Sequence, residues 1–170
     1  MSRSRSSGSS SLYTADERQR RDASRWTLVQ GALAPLQFLV FLVSLALVLR
    51  YLATGDGFVS ATASIVVKTL VLYAIMITGS IWEHDVFGRY LFAPAFYWED
   101  VVSMLVLALH TAYIAVLLTN FVDPREQMLL ALAAYVSYVI NAAQYVLKFR
   151  VARREAPNSQ PEFASAMESK

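Results

Sequence analysis

The chain has 170 residues, is 56% hydrophobic and only 16% charged, has a net charge of +2 and contains no cysteine. So much apolar content excludes an ordinary soluble domain. The small charge, with no basic patch interleaved with aromatics outside the ends, excludes nucleic acid as a partner. The missing thiols exclude disulfides, iron–sulfur clusters, thiolate zinc sites and cysteine nucleophiles.

The opening "MSRSRSSGSSS" is polar and of low complexity, so residues 1–12 are expected to be a disordered tail. No cleavable signal is expected, because the first apolar run begins only near Leu33 and no small-residue cleavage pattern follows it. Thr14 and Glu17 have capping-box spacing, which predicts a short surface helix there, with Trp26 at the headgroup level. Four apolar runs follow, at about 33–53, 61–82, 101–120 and 128–147. Each is close to the ~20 residues that cross a ~30 Å hydrocarbon core. "TGDGF" links the first two as a glycine turn. "DPRE" opens the fourth with Asp123 as N-cap, Pro124 at the first helical position and Glu126 completing a box. Residues 151–170 are a polar C-terminal tail. The expected fold is all-α, an integral membrane four-helix bundle over residues 13–150.

Lysine and arginine set its orientation. The N-terminal flank carries Arg3, Arg5, Arg18, Arg20, Arg21 and Arg25, and the C-terminal flank carries Lys148, Arg150, Arg153 and Arg154. The connections after the first and third spans offer only Arg50 and Arg125. By the positive-inside rule both termini are cytoplasmic, and so is the connection between spans two and three.

Each span has a polar side. The first carries Gln30, Gln37, Ser44 and Tyr51 at seven-residue spacing; the fourth carries Tyr138, Asn141, Tyr145 and Lys148 on a heptad stripe, with Gln144 beside it. The second holds Lys68 and Thr78, and the third Glu99, Ser103 and His110. Such residues usually face the bundle interior, where hydrogen bonds between helices are worth about 0.6 kcal/mol each. For Gln37, Ser44 and Thr78 that is the simpler account. Lys68 either snorkels to the near surface or pairs with an internal carboxylate or a ligand. His110 is either a hydrogen-bonded core histidine or a ligand to something bound.

The connection "IWEHDVFGRYLFAPAFYWEDVV", residues 81–102, gathers four carboxylates, His84, Arg89 and two Trp-Glu pairs. Trp82 and Trp98 suit an aromatic belt, and Glu99 and Asp100 suit the N-terminal end of a helix. Glu83 and Asp85 do not, since they lie where a helix C-terminus disfavours negative charge. That mismatch points to function or to a partner such as Arg89. Glu83 and His84 are adjacent, not at the Glu-x-x-His spacing of di-iron bundles, and there is no phosphate loop or nucleophile elbow. What remains is acid–base chemistry: crowded, half-desolvated carboxylates divide into an acid and a base.

The segments "LYTADERQRRDASRWTLVQGALAPLQFLVFLVSLALVLRYLATG", "IVVKTLVLYAIMITGSIWE", "VFGRYLFAPAFYWEDVVSMLVLALHTAY" and "MLLALAAYVSYVINAAQYVLK" together resemble the bacteriochlorophyllide 3-vinyl hydratase family of photosynthetic bacteria. The resemblance covers roughly residues 12–150; His84-Asp85 matches it least. It implies hydration of the C3 vinyl group of a chlorin such as chlorophyllide a to the 3-(1-hydroxyethyl) form, without a redox cofactor. It also implies a magnesium chlorin as substrate, a bacterial inner membrane, and neighbours such as other pigment-biosynthesis enzymes or a second copy of the chain.

For that chemistry the residues suggest Glu99 or Glu83 as proton donor, with Asp100 orienting water or stabilising charge. Arg89 or Lys68 would take a substrate propionate, and Phe92, Phe96, Tyr97 and Trp98 would stack on the ring. Asn141 would face the substrate, and His110 would ligate the chlorin magnesium or bond a ring substituent; no metal site of the protein's own is expected. Two rivals are a non-catalytic pigment-binding or assembly protein, which would need His110 and not the carboxylates, and a proton-coupled transporter running through Lys68 and His110.

Overall fold

The computed structural model describes residues 12–119 and 121–155, with side chains described as far as Val151. The N-terminal tail, apart from Leu12, and residues 156–170 lie outside the described residues. The described chain is all helical: α1 (Ala15–Ala23), α2 (Arg25–Thr54), α3 (Phe58–Phe87), α4 (Tyr97–Thr119) and α5 (Pro124–Glu155). α2, α3, α4 and the Pro124–Val151 part of α5 are each long and apolar enough to cross a membrane. The helices extend past the apolar runs: α2 and α3, at 30 residues each, are about 45 Å long.

Local chemistry sets the boundaries. Thr14 and Glu17 form both halves of a capping box on α1. The Ser24 hydroxyl then accepts from the Trp26 N–H to open α2 at once. Gly55 and Gly57 both adopt positive φ, 79° and 88°, so the chain reverses within three residues between α2 and α3. Asp123 accepts from the Arg125 N–H at 2.7 Å, which with Pro124 starts α5.

α2 packs along α3 and α4 along α5, both more extensively than α3 packs on α4, so the bundle is two helical hairpins. α1 lies against α3. The core runs through Phe41, Val48, Ile65, Leu72, Val106, Tyr113, Met128 and Tyr135. Large apolar side chains such as Leu39, Val43, Leu70, Ile77 and Val136 are exposed around the outside, which suits a lipid surround. The start of α2, the later part of α5 and the α3–α4 connection meet at one end of the bundle: the Ser24 hydroxyl donates to Asp85 at 2.9 Å, and Lys148 reaches Glu99.

Candidate active site

Glu83, Glu99 and Asp100 all fold inward at that end and are 4%, 7% and 4% exposed. Buried carboxyl groups are costly unless their oxygens are partnered, and the connection between α3 and α4 supplies the partners. The Ala93 N–H donates to Glu83 Oε1 at 2.6 Å and the Phe92 N–H donates to Asp100 Oδ2 at 2.8 Å. Consecutive amides point the same way because Phe92 has φ 60°, the only non-glycine residue among those described with positive φ. A bulky residue in that region is strained by about 1–3 kcal/mol. Here the strain is offset by two charge-assisted hydrogen bonds.

The carboxyl groups of Glu83 and Asp100 also bond each other. Carboxylates are acceptors only, so a bond between two of them needs a proton held between the pair. The Tyr145 hydroxyl approaches Asp100 Oδ1 at 3.4 Å and lies within reach of Ser103 too. Ser103 in turn accepts from Asn141 Nδ2 at 2.8 Å. A continuous polar line therefore runs from α5 through α4 to α3.

Glu99 is arranged differently. Lys148 Nζ meets its Oε2 at 2.6 Å, and the same ammonium lies 4.9 Å from the centroid of the Phe96 ring. Phe96, 2% exposed, caps the group. It packs on Tyr145 at 6.0 Å, Trp82 at 5.8 Å and Phe87 at 5.8 Å, with Tyr13 over it at 6.3 Å. Burial pushes the Tyr13 phenol up to about 12, against the opposing pull of Arg21.

The remaining expected residues divide by position. Trp98 is 68% exposed and forms, with the exposed Tyr90, Phe92 and Tyr97, an aromatic surface on the connection. Arg89 is exposed beside it, and the partner of Glu83 is the Ala93 N–H instead. Asp85 is engaged by Ser24, and the exposed His84 stacks on Tyr90 at 4.2 Å. Lys68 and His110 lie elsewhere. Fifteen residues, about 22 Å along α3, separate Lys68 from Glu83. Both side chains are fully buried and meet at 3.1 Å, Nζ to Nε2. His110 Nδ1 bonds the Val106 carbonyl at 2.8 Å, so Nδ1 carries the hydrogen and Nε2 accepts from Lys68. The rings of Tyr138 and Tyr135 flank the ammonium at 4.1 and 5.4 Å.

Tyr145, Lys148 and the Phe92 and Ala93 amides are the parts that sequence reasoning gave no role. The first two lie on the heptad stripe of the fourth span, which was a usable signal; the amides left none.

Comparison with known proteins adds identity to the geometry. A family profile described as 2-vinyl bacteriochlorophyllide hydratase matches residues 13–151. The chain is 63% identical over 150 residues to a Cereibacter sphaeroides protein named 2-vinyl bacteriochlorophyllide hydratase, covering 88% of this chain and 92% of that one. It is 63% identical over 145 residues to a Rhodobacter capsulatus protein of the same name, covering 85% and 84%. No solved structure matches.

Proposed function

Since this chain belongs to the 2-vinyl bacteriochlorophyllide hydratase family, we propose that it is a hydro-lyase that adds water to the vinyl group of a magnesium chlorin, chlorophyllide a or a related bacteriochlorophyllide. The family name's 2-position and C3 of current ring numbering denote the same carbon. The product is the 1-hydroxyethyl chlorin, and the setting is bacteriochlorophyll synthesis in a bacterial inner membrane. Both termini and the carboxyl-rich end face the cytoplasm, with α1 on the membrane surface.

The observation that carries the mechanism is the buried contact between the Glu83 and Asp100 carboxyl groups, which requires one proton shared between them. That proton goes to the terminal vinyl carbon, making a methyl group. Positive charge appears on the carbon next to the macrocycle, which delocalises it. The ionised pair and the Glu99 carboxylate stabilise the cation. Water attacks it, and the proton released by the water returns to the pair, so the catalyst is regenerated and one water is added. General acid–base help of this kind contributes about 10²–10⁴-fold. The chlorin face stacks on Tyr90, Tyr97 and Trp98, and Arg89 takes a ring carboxylate.

The pigment-carrier alternative needs an open imidazole nitrogen for magnesium, and both nitrogens of His110 are engaged. A proton-coupled transporter needs a connected line of ionisable groups through the membrane, whereas about 22 Å along α3 separates the Lys68–His110 pair from the buried Glu83. The test is to incubate membranes containing the protein with chlorophyllide a and no reductant. A product heavier by one water supports the hydratase. Retention of unchanged pigment by protein of verified amount would favour the carrier.

A further inference from the structure

A proton shared by two carboxyl groups still rests on one of them, and the surroundings of Glu83 and Asp100 are unequal. Asp100 lies in the first turn of α4, where the unpaired amides of a helix start favour negative charge. Glu83 lies near the end of α3, where the unpaired carbonyls disfavour it. The hydrogen bonds lean the same way. Besides Glu83, two donors reach Asp100 among the described residues, the Phe92 N–H at 2.8 Å and the Tyr145 hydroxyl at 3.4 Å. Glu83 receives the Ala93 N–H at 2.6 Å. Each donor to an ionised carboxylate holds its charge in place. The neighbouring Glu99 carboxylate opposes charge on Asp100, and Lys148 at 2.6 Å from Glu99 balances it.

The Tyr145 hydroxyl also has a defined sense. Asn141 Nδ2 donates to Ser103 Oγ at 2.8 Å, Ser103 lies within reach of the Tyr145 oxygen, and Tyr145 donates to Asp100 Oδ1. A hydroxyl that accepts from one neighbour is free to pass its own hydrogen to the next. Asn141, Ser103 and Tyr145 therefore align their donors toward the Asp100 carboxylate, and aligned donors strengthen one another. The Tyr145 ring is fixed by stacking on Phe96 at 6.0 Å and on Phe149 at 6.3 Å.

We propose that Glu83 is the proton donor of the pair, that Asp100 is its ionised partner, and that Tyr145 is the positioning residue that keeps the charge on Asp100. The inference rests on the hydratase reading and divides the roles within the pair. The Glu83 O–H bond breaks as a C–H bond forms at the terminal vinyl carbon. Asp100 stays ionised and stabilises the cation. The water oxygen then bonds to the cationic carbon, and the proton it releases goes to Glu83, which is the more basic carboxylate because fewer donors hold it.

The place of the proton is read by infrared spectroscopy. Protein is purified in a detergent without ester carbonyls, isotope-labelled at the side-chain carboxyl carbon of glutamate or, separately, of aspartate. The carbonyl band of the protonated carboxyl is identified by its loss in Glu83→Gln. In the wild type it should shift with labelled glutamate and not with labelled aspartate; a shift with aspartate alone overturns the assignment of the acid, and the absence of any such band overturns the shared proton. Tyr145→Phe keeps the ring stack and removes the donor. It should move part of the label sensitivity from glutamate to aspartate and lower turnover of chlorophyllide a about tenfold. Ser103→Ala, which interrupts the line one step earlier, should do the same to a smaller extent. A band unmoved in both variants overturns the role of Tyr145 whatever the turnover, because a merely structural defect lowers turnover without relocating the proton. A moved band with turnover within threefold of wild type overturns its bearing on catalysis. Wild-type protein with the band on glutamate and no hydrated product overturns the hydratase reading and leaves the place of the proton standing.

Discussion

Replacing Glu83 by glutamine separates the proton from the structure that holds it. The amide has nearly the size of the carboxyl, its oxygen can keep the 2.6 Å bond from the Ala93 N–H, and its NH₂ can donate to Asp100. No buried group loses a partner, so the change in stability should stay below about 1 kcal/mol. What is lost is the shared proton, because the amide cannot pass one on at neutral pH. Loss of a general acid costs about 10²–10⁴ in rate, roughly 3–5 kcal/mol of barrier. The assay is turnover of chlorophyllide a by membranes matched for protein amount, beside thermal unfolding in detergent. Turnover within threefold of wild type would refute the paired-carboxyl mechanism. A large loss of both stability and turnover would show the reasoning about the retained hydrogen bonds to be wrong.

Glu99→Gln should reduce turnover less than Glu83→Gln, by about tenfold, because it removes a stabilising charge and leaves the proton in place; the two are compared in the same turnover assay. Phe92→Val should lower thermal stability by about 1–3 kcal/mol, since a β-branched residue is penalised at positive φ. Phe92→Gly should keep the amides in position and melt near wild type. His110→Leu should destabilise by about 1–3 kcal/mol by leaving the buried Lys68 ammonium without its acceptor, whereas Lys68→Met should be near neutral, and detergent melts distinguish the two. Lys68→Met should also leave turnover unchanged. Reporters fused at residue 1 and at residue 170 should signal from the same side of the membrane, and one placed at Gly55–Gly57 from the other.

The four spans were legible because length and apolarity are enough to identify them. The faces that turn inward were legible too, since Gln37 and Ser44 on α2 and Glu99, Ser103 and His110 on α4 follow helical spacing, and all are buried. The misplaced negative charge at the end of α3 showed that Glu83 and Asp85 needed partners. Who the partners are depends on register between helices, which periodicity within one helix does not contain. Hence Lys148 was visible on its stripe but its pairing with Glu99 was not, and Lys68 could be seen as buried or snorkelling but not as the donor to His110. The loop amides were least legible: a phenylalanine at φ 60° has no sequence signature, whereas a glycine there would have announced the turn.

Glu83 belongs to the first helical hairpin and Asp100 to the second, and the amides that cradle both belong to the segment joining them. Neither hairpin alone owns a complete acid. During biogenesis each pair of spans can enter the bilayer as a unit with most of its contacts already made, yet the proton-bearing pair exists only once the two units have docked. Under the proposed mechanism, chemical competence reports on the last assembly step. A chain cut within the connection, its halves made separately, would have to recover the seam as well as the spans before it could act.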